Sequence, residues 1–164
     1  MLERKRKLDC ANGREKADLV LKNGNVLNVF TEEVLKADVA ICGDTIVGVG
    51  EYEGKEEIDC TGKYLVPGFI DAHMHIESCM AAPGELAKVL AKAGTTTIIA
   101  DPHEIVNVSG TKGMDYFLKC AAKLLVNVFF MVPSAVPATD VETNGCGEFL
   151  ASDMMKYVDN ARVL

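Results

Sequence analysis

Val66-Pro67-Gly68-Phe69-Ile70-Asp71-Ala72-His73-Met74-His75-Ile76-Glu77 is the stretch that decides how this chain is read. Pro67-Gly68 breaks the pattern before it, and Phe69 to His75 has the composition of a strand. Alternate residues of a strand share a face. Asp71, His73, His75 and Glu77 therefore point one way while the chain stays extended, and Ile70, Ala72, Met74 and Ile76 point the other, to pack. Two imidazoles and two carboxylates crowded on one face need a metal, water or one another to offset desolvation. Neutral imidazoles two residues apart can chelate one divalent cation at about 2.0–2.1 Å each. Asp71 is placed to orient an imidazole from behind. A bare His-x-His is more often a surface pair with no ligand. This one ends a strand, and C-terminal strand ends are where α/β folds place their sites.

Downstream, strands and helices alternate. Pro83-Gly84 opens a helix that runs to about Ala93, with Gly94 just past its end. Thr95 to Ala100 is a β-branched strand. Residues 112–122 read as helix, and Leu124 to Val132 as a strand buried on both faces. A last helix is expected over about Phe149 to Asp159, and Arg162-Val163-Leu164 begins a further strand. The order β-α-β-α-β-α-β implies a parallel sheet with right-handed crossovers. It fits a doubly wound sheet or the first three βα units of a (β/α)8 barrel, which needs roughly 250 residues to close.

Two further clusters lie at expected strand ends. In Ala100-Asp101-Pro102-His103-Glu104, Pro102 ends the ladder, so His103 and Glu104 are expected in the loop above it, as an acid–base pair or a further metal contact. Asp101 is expected behind the ligands. The third strand ends in Val132-Pro133-Ser134-Ala135-Val136-Pro137-Ala138-Thr139 and continues through Asp140, Glu142, Thr143 and Asn144. Substrate contact is assigned to Glu77, Ser134 and Glu142, although an ordered connecting loop explains the last two as well.

Upstream, residues 17–67 read as β: Asp18 to Leu21, a turn at Lys22-Asn23-Gly24-Asn25, Val26 to Val29, Asp38 to Ile41, a Gly43-Asp44 turn, and Thr45 to Val49. Short strands joined by glycine turns suggest part of a small β-sandwich. Residues 1–16, with Arg4-Lys5-Arg6-Lys7, read as a solvated basic tail. No apolar segment follows the run, so it is not a secretory signal.

The chain has 164 residues, 49% of them hydrophobic and 25% charged, which is globular composition. A net charge of −7 disfavours nucleic acid as a partner. The longest apolar run, Leu124 to Val132, is too short to span a bilayer. Cys10, Cys42, Cys60, Cys79, Cys120 and Cys146 are scattered with no CxxC pair, as expected of reduced thiols in the cytoplasm. His75-Ile76-Glu77 lacks the downstream Pro-Cys-x-x-Cys that would make it a cytidine-type zinc site. Walker A, GxGxxG and GxSxG loops are absent.

The segment from Val66 to His75 resembles the first barrel strand of the amidohydrolase superfamily. Its extension Ile76-Glu77-Ser78, with the segments from Ala100 to Ile105 and from Pro133 to Thr139, resembles the adenine deaminases over about residues 17–164. Cys79 departs from the serine more usual there. The resemblance implies a small β domain and a (β/α)8 barrel with a divalent metal, manganese or iron, with zinc as a further candidate. His73 and His75 match the first-strand ligands. The implied reaction is hydrolysis of adenine to hypoxanthine and ammonia, by a cytoplasmic homo-oligomer. The family's remaining ligands come from later strands, so this chain by itself is expected to be inactive. A hydrolase of another cyclic amide, and a non-catalytic binding or assembly protein on a truncated fold, are the competing readings.

Overall fold

The structure, a computed structural model, describes residues 2–134, 136–139, 141, 142, 145 and 148–164. Cys146, and the loop residues Ala135, Asp140, Thr143 and Asn144 singled out above, lie outside the described residues. The chain divides into two compact units, Met1–Pro67 and Gly68–Leu164.

The first unit holds helix α1 (Leu2–Ala11) and strands β1 (Ala17–Asn28), β2 (Glu33–Cys42), β3 (Thr45–Gly50), β4 (Gly54–Asp59) and β5 (Tyr64–Leu65). They form one mixed sheet in the order β3-β2-β1-β4, with β5 also on β1. The β1–β2 and β2–β3 pairs are antiparallel; β4 and β5 run parallel to β1.

Two expectations fail here. Asn23-Gly24 is not a turn between strands. β1 runs straight through it with a register shift between Leu21 and Gly24. Asp38, only 6% exposed, holds the irregularity in place. Its Oδ1 accepts from the Asn23 N–H at 2.9 Å, and its Oδ2 accepts from Lys22 Nζ at 2.6 Å and from the Tyr52 N–H at 3.2 Å. Asn23 takes φ 60°, a left-handed geometry that asparagine tolerates better than most residues.

The basic tail is also a helix. Arg6 pairs with Asp18 and with Glu15 at 3.0 Å, and Lys7 donates to Asp44 Oδ1 and Thr45 Oγ1, both at 2.8 Å. Tyr52 Oη donates to the Ala11 carbonyl at 3.1 Å, and Cys10 is fully buried. Of the four charges read as solvated, Arg4 and Lys5 are exposed, whereas Arg6 is anchored to Glu15 and Asp18 at the start of β1 and Lys7 to Asp44 in the β2–β3 turn.

The second unit contains β6 (Phe69–Met74), a 3-10 turn (Glu77–Cys79), α2 (Pro83–Lys92), β7 (Thr95–Ala100), α3 (His103–Ser109), α4 (Thr111–Ala121), β8 (Asn127–Phe130) and α5 (Ala151–Met154). β6, β7 and β8 form a parallel sheet in that order. Val163 bridges Phe130 in parallel, so the last residues begin to add beside β8 as expected.

The core lies between the sheet and its helices. Ile98, Val128 and Phe130 from the strands meet Ala87, Val106, Met114, Phe117 and Ala121 from the helices. Phe117 and Phe130 stack with centroids 6.0 Å apart. On β6 the expected apolar face is only partly buried. Met74 and Ile76 pack on the core, whereas Ile70 is 65% exposed on a strand with one unpaired edge.

His103 and Glu104 do not lie in a loop. They open α3, because Pro102 precedes the first turn and an acidic residue there suits the helix N-terminus. The expected long strand shortens to β8, and the expected last helix to α5 followed by turns. Among the described residues no helix is long and apolar enough to cross a membrane.

Candidate metal centre

All three strands of the second unit run parallel, so their C-terminal ends share one edge. Met74 is in register with Ala100, and the Asp101 N–H donates to the Met74 carbonyl at 2.8 Å. That pairing brings the residues after β6 beside the residue after β7. His73, His75 and Asp101 each offer one ligand atom, and the three atoms lie within 4.8 Å of one another.

The two imidazoles approach through Nε2, 3.2 Å apart. Two nitrogens each about 2.0–2.1 Å from one cation at a near-tetrahedral angle lie roughly 3.3 Å apart. The spacing therefore fits a shared cation. Asp101 Oδ1 is buried and has no hydrogen-bond partner in the described structure. A buried carboxylate oxygen in that condition is costly unless something positive meets it. Asp101, expected behind the ligands, thus contributes to the cluster itself, because the β6–β7 register sets it beside His75.

Glu104 takes the place expected for Asp71. His75 Nδ1 lies 2.9 Å from Glu104 Oε2. The carboxylate can only accept, so Nδ1 carries the hydrogen and the neutral ring presents its Nε2 lone pair to the cluster. Ser78 Oγ donates to Glu104 Oε1 at 3.3 Å. Burial works against the Glu104 charge, yet hydrogen bonds from backbone and Glu77 and the adjacent His75 bring its carboxyl below the usual range. Asp71, exposed within β6, instead accepts from the backbone N–H of His73 two residues on, at 3.2 Å.

Glu77 bridges the two strand ends. Its Oε1 accepts from the Ile105 N–H in α3 at 2.9 Å, and its Oε2 is buried without a partner. Burial pushes its carboxyl above the usual range, and the nearby Glu104 charge adds to the rise. The pair is unequal: the Glu77 carboxyl is shifted up and the Glu104 carboxyl down.

The other sequence candidates stand apart. His103 is half-buried at the start of α3 and is not one of the three clustered residues. Ser134 is exposed in the loop after β8. Glu142 has both oxygens engaged: Oε1 accepts from Asn107 Nδ2 at 3.1 Å, and Oε2 accepts from the Ala138 N–H. Asn107 escaped the sequence reading. Its signal was helical spacing: once His103 opens a helix, Asn107 falls four residues on, one turn along the same face.

Comparison with known proteins follows the same lines. The amidohydrolase family model matches residues 64–162. An adenine deaminase of Desulfitobacterium hafniense is 57% identical over 152 residues, 93% of this chain and 26% of that protein. An adenine deaminase of Clostridium acetobutylicum is 50% identical, covering 96% of this chain and 28% of its own length. The chain thus spans about a quarter of the length of these relatives. Among solved structures, an N-acyl-D-glutamate deacylase of Bordetella bronchiseptica, complexed with zinc and a phosphonate inhibitor, superposes with a TM-score of 0.59 at 21% identity. It covers 74% of this chain and 30% of the deacylase. A D-aminoacylase described as having a binuclear metal centre gives the same TM-score at 24% identity, covering 73% of this chain and 30% of its own. These likenesses show the fold.

Proposed function

The chain belongs to the amidohydrolase family, and from that premise we propose that it forms the front part of an adenine deaminase, a metal-dependent hydrolase that converts adenine and water to hypoxanthine and ammonia. The observation that carries the proposal is the cluster of His73, His75 and Asp101. It stands at strand ends, in a chain 57% identical to one adenine deaminase over 152 residues. In this reading residues 17–67 belong to a β-sandwich completed from elsewhere in a longer polypeptide. Residues 68–164 are the first three βα units of a (β/α)8 barrel. A groove on the first unit's sheet lined by Leu35, Ile46, Val49 and Tyr64 supports the first part, since a single sheet with an apolar face lacks its partner layer.

His73 and His75 hold the metal through Nε2, and Asp101 supplies a carboxylate. The cation is manganese or iron, with zinc as the alternative. When bound, it supplies Lewis acidity that makes water a competent nucleophile near neutral pH. Glu104 keeps the His75 hydrogen on Nδ1, so its Nε2 stays available. Glu77 accepts from the Ile105 N–H and so fixes the start of α3 beside the site. His103, at the mouth of α3, gives the proton required by the departing amine, since imidazole both donates and accepts. Ser134, exposed on the loop after β8, contacts the purine. Every described cysteine is an unpaired thiol, which supports the cytoplasm as its setting. The family resemblance carries the further expectation of a homo-oligomer.

The test is to express the full-length coding sequence with manganese and to assay adenine, dihydroorotate and hydantoin side by side. Hypoxanthine formation from adenine is the expected result. Turnover of a cyclic amide instead, or none with any of the three in a metal-loaded enzyme, would overturn the proposal.

A further inference from the structure

The seven residues of α3 are tied at both ends to different parts of the site. At the N-terminal end Glu104 meets His75 Nδ1 and the Ile105 N–H meets Glu77 Oε1. At the C-terminal end the ties go to the loop that follows β8. Glu142 accepts from Asn107 Nδ2 with one oxygen and from the Ala138 N–H with the other. The Gly145 N–H donates to the Asn107 carbonyl at 3.0 Å. A Cβ at position 145 would stand 2.5 Å from the Val108 carbonyl oxygen, so loop and helix meet backbone to backbone there. The loop leaves β8 at the same sheet edge as the metal cluster, because the Met131 N–H still pairs with the Ala100 carbonyl at 2.9 Å.

We infer that Asn107 and Glu142 form a latch that fixes the rim of the site, the loop after β8, to α3, and that Glu142 is a positioning residue and not a substrate contact. The inference of a rim rests on the functional reading above; the latch itself does not. Both Glu142 oxygens already accept from protein donors, one on α3 and one on the loop backbone, which fixes the carboxylate between those two elements. Through α3 the latch shares one rigid element with Glu104 and the Ile105 N–H. The loop bearing Ser134 and the His75 imidazole are thereby held in one frame.

The experiment compares the chain with Asn107→Asp, Glu142→Ala and the double variant Asn107→Asp/Glu142→Gln. Asn107→Asp sets one carboxylate against another. In the double variant the introduced amide donates to the introduced carboxylate and its oxygen still accepts from the Ala138 N–H. Amide hydrogen exchange at Ala138 and Gly145, with no metal added, is expected to quicken at least about tenfold in Asn107→Asp and Glu142→Ala and to return to within about twofold in the double variant. In the full-length enzyme kcat/KM for adenine is expected to fall and recover in the same pattern. Unchanged exchange in the single variants overturns the latch. Recovered exchange without recovered turnover overturns the positioning role, because a carboxylate that touches substrate is not replaced by an amide. A wild-type enzyme inactive on adenine refutes the functional reading, and exchange still decides the latch.

Discussion

Replacing Asp38 with alanine strips three donors of one acceptor. Lys22 Nζ, the Asn23 N–H and the Tyr52 N–H all end on this carboxylate, at 2.6, 2.9 and 3.2 Å. Asp38 itself is 6% exposed. Removing one partner of a buried ion pair costs about 3–5 kcal/mol, and each backbone N–H left unpaired adds about 1–3 kcal/mol where water cannot reach it. The Lys22 side chain is 28% exposed and can rehydrate, which removes part of the first figure. The expected loss for Asp38→Ala is about 3–5 kcal/mol, a large share of a domain's stability. Asp38→Asn keeps one acceptor oxygen and is expected to lose about half as much. Urea titration followed by circular dichroism reads both. At about 1–2 kcal/mol per molar urea, the asparagine variant's midpoint falls by roughly 1–2 M.

The same hub sets a pH dependence. Burial alone would raise the Asp38 carboxyl, but the Lys22 ammonium and the two N–H donors bring it below its usual value. A carboxyl lowered in the folded state stabilises above its unfolded pKa, and that contribution is lost as pH falls through the folded one. Lys22 is raised, chiefly by Asp38, so its share is full below the unfolded lysine pKa and lost as pH rises through the folded one. The stability gap between wild type and Asp38→Asn should be widest near neutrality and narrow in acid. A gap under about 1 kcal/mol for Asp38→Ala at pH 7, or one unchanged in acid, would refute the hub as the cause of the β1 irregularity.

Glu104→Ala should weaken manganese binding by about 10–100-fold in a calorimetric titration, because His75 loses the acceptor that fixes its tautomer; equal affinity would remove Glu104 from that role. Phe130→Ala should cost about 3–5 kcal/mol in the same urea assay, since the ring is buried at 1% exposure and stacks on Phe117. Deleting residues 1–11 should speed the reaction of Cys42 with a thiol reagent, given that Cys42 is buried beside Cys10 of α1; an unchanged rate would show that α1 shields nothing.

The parts of the fold that were legible are those whose signals are local. Thr95–Ala100 is a β-branched run bounded by Gly94 and Asp101-Pro102, and the strand has those bounds. Pro83 and Gly94 mark α2 in the same way. His73 and His75 share a strand face, so their proximity follows from a period of two. What failed depends on partners distant in sequence. Asn23-Gly24 looks like a turn until Asp38, 15 residues on, supplies the acceptor that keeps β1 continuous. The Arg4–Lys7 run is polar on every side, so no apolar stripe announces a helix; its anchors, Asp18 and Asp44, lie elsewhere in the chain. Pro102 was read as the end of a strand and not also as the entrance to a helix, which moved Glu104 away from His75. The partners of Glu142 were not legible either, because Asn107 and the Ala138 N–H meet its carboxylate only after folding.

Each strand of the second unit pairs with its predecessor in the chain: β7 on β6, β8 on β7, and Val163 on β8. As the polypeptide leaves the ribosome from its N-terminus, every new strand meets an edge that already exists. This sheet can therefore grow in the order of translation, each crossover closing a short loop. The first unit follows a different schedule. β1 is made first, yet it pairs with β2, β4 and β5, so its sheet is complete only when Leu65 has emerged. Nascent chains arrested at successive lengths would show β1, β2 and β3 pairing early and the first sheet closing only when β4 and β5 return to β1, while the second lengthens strand by strand.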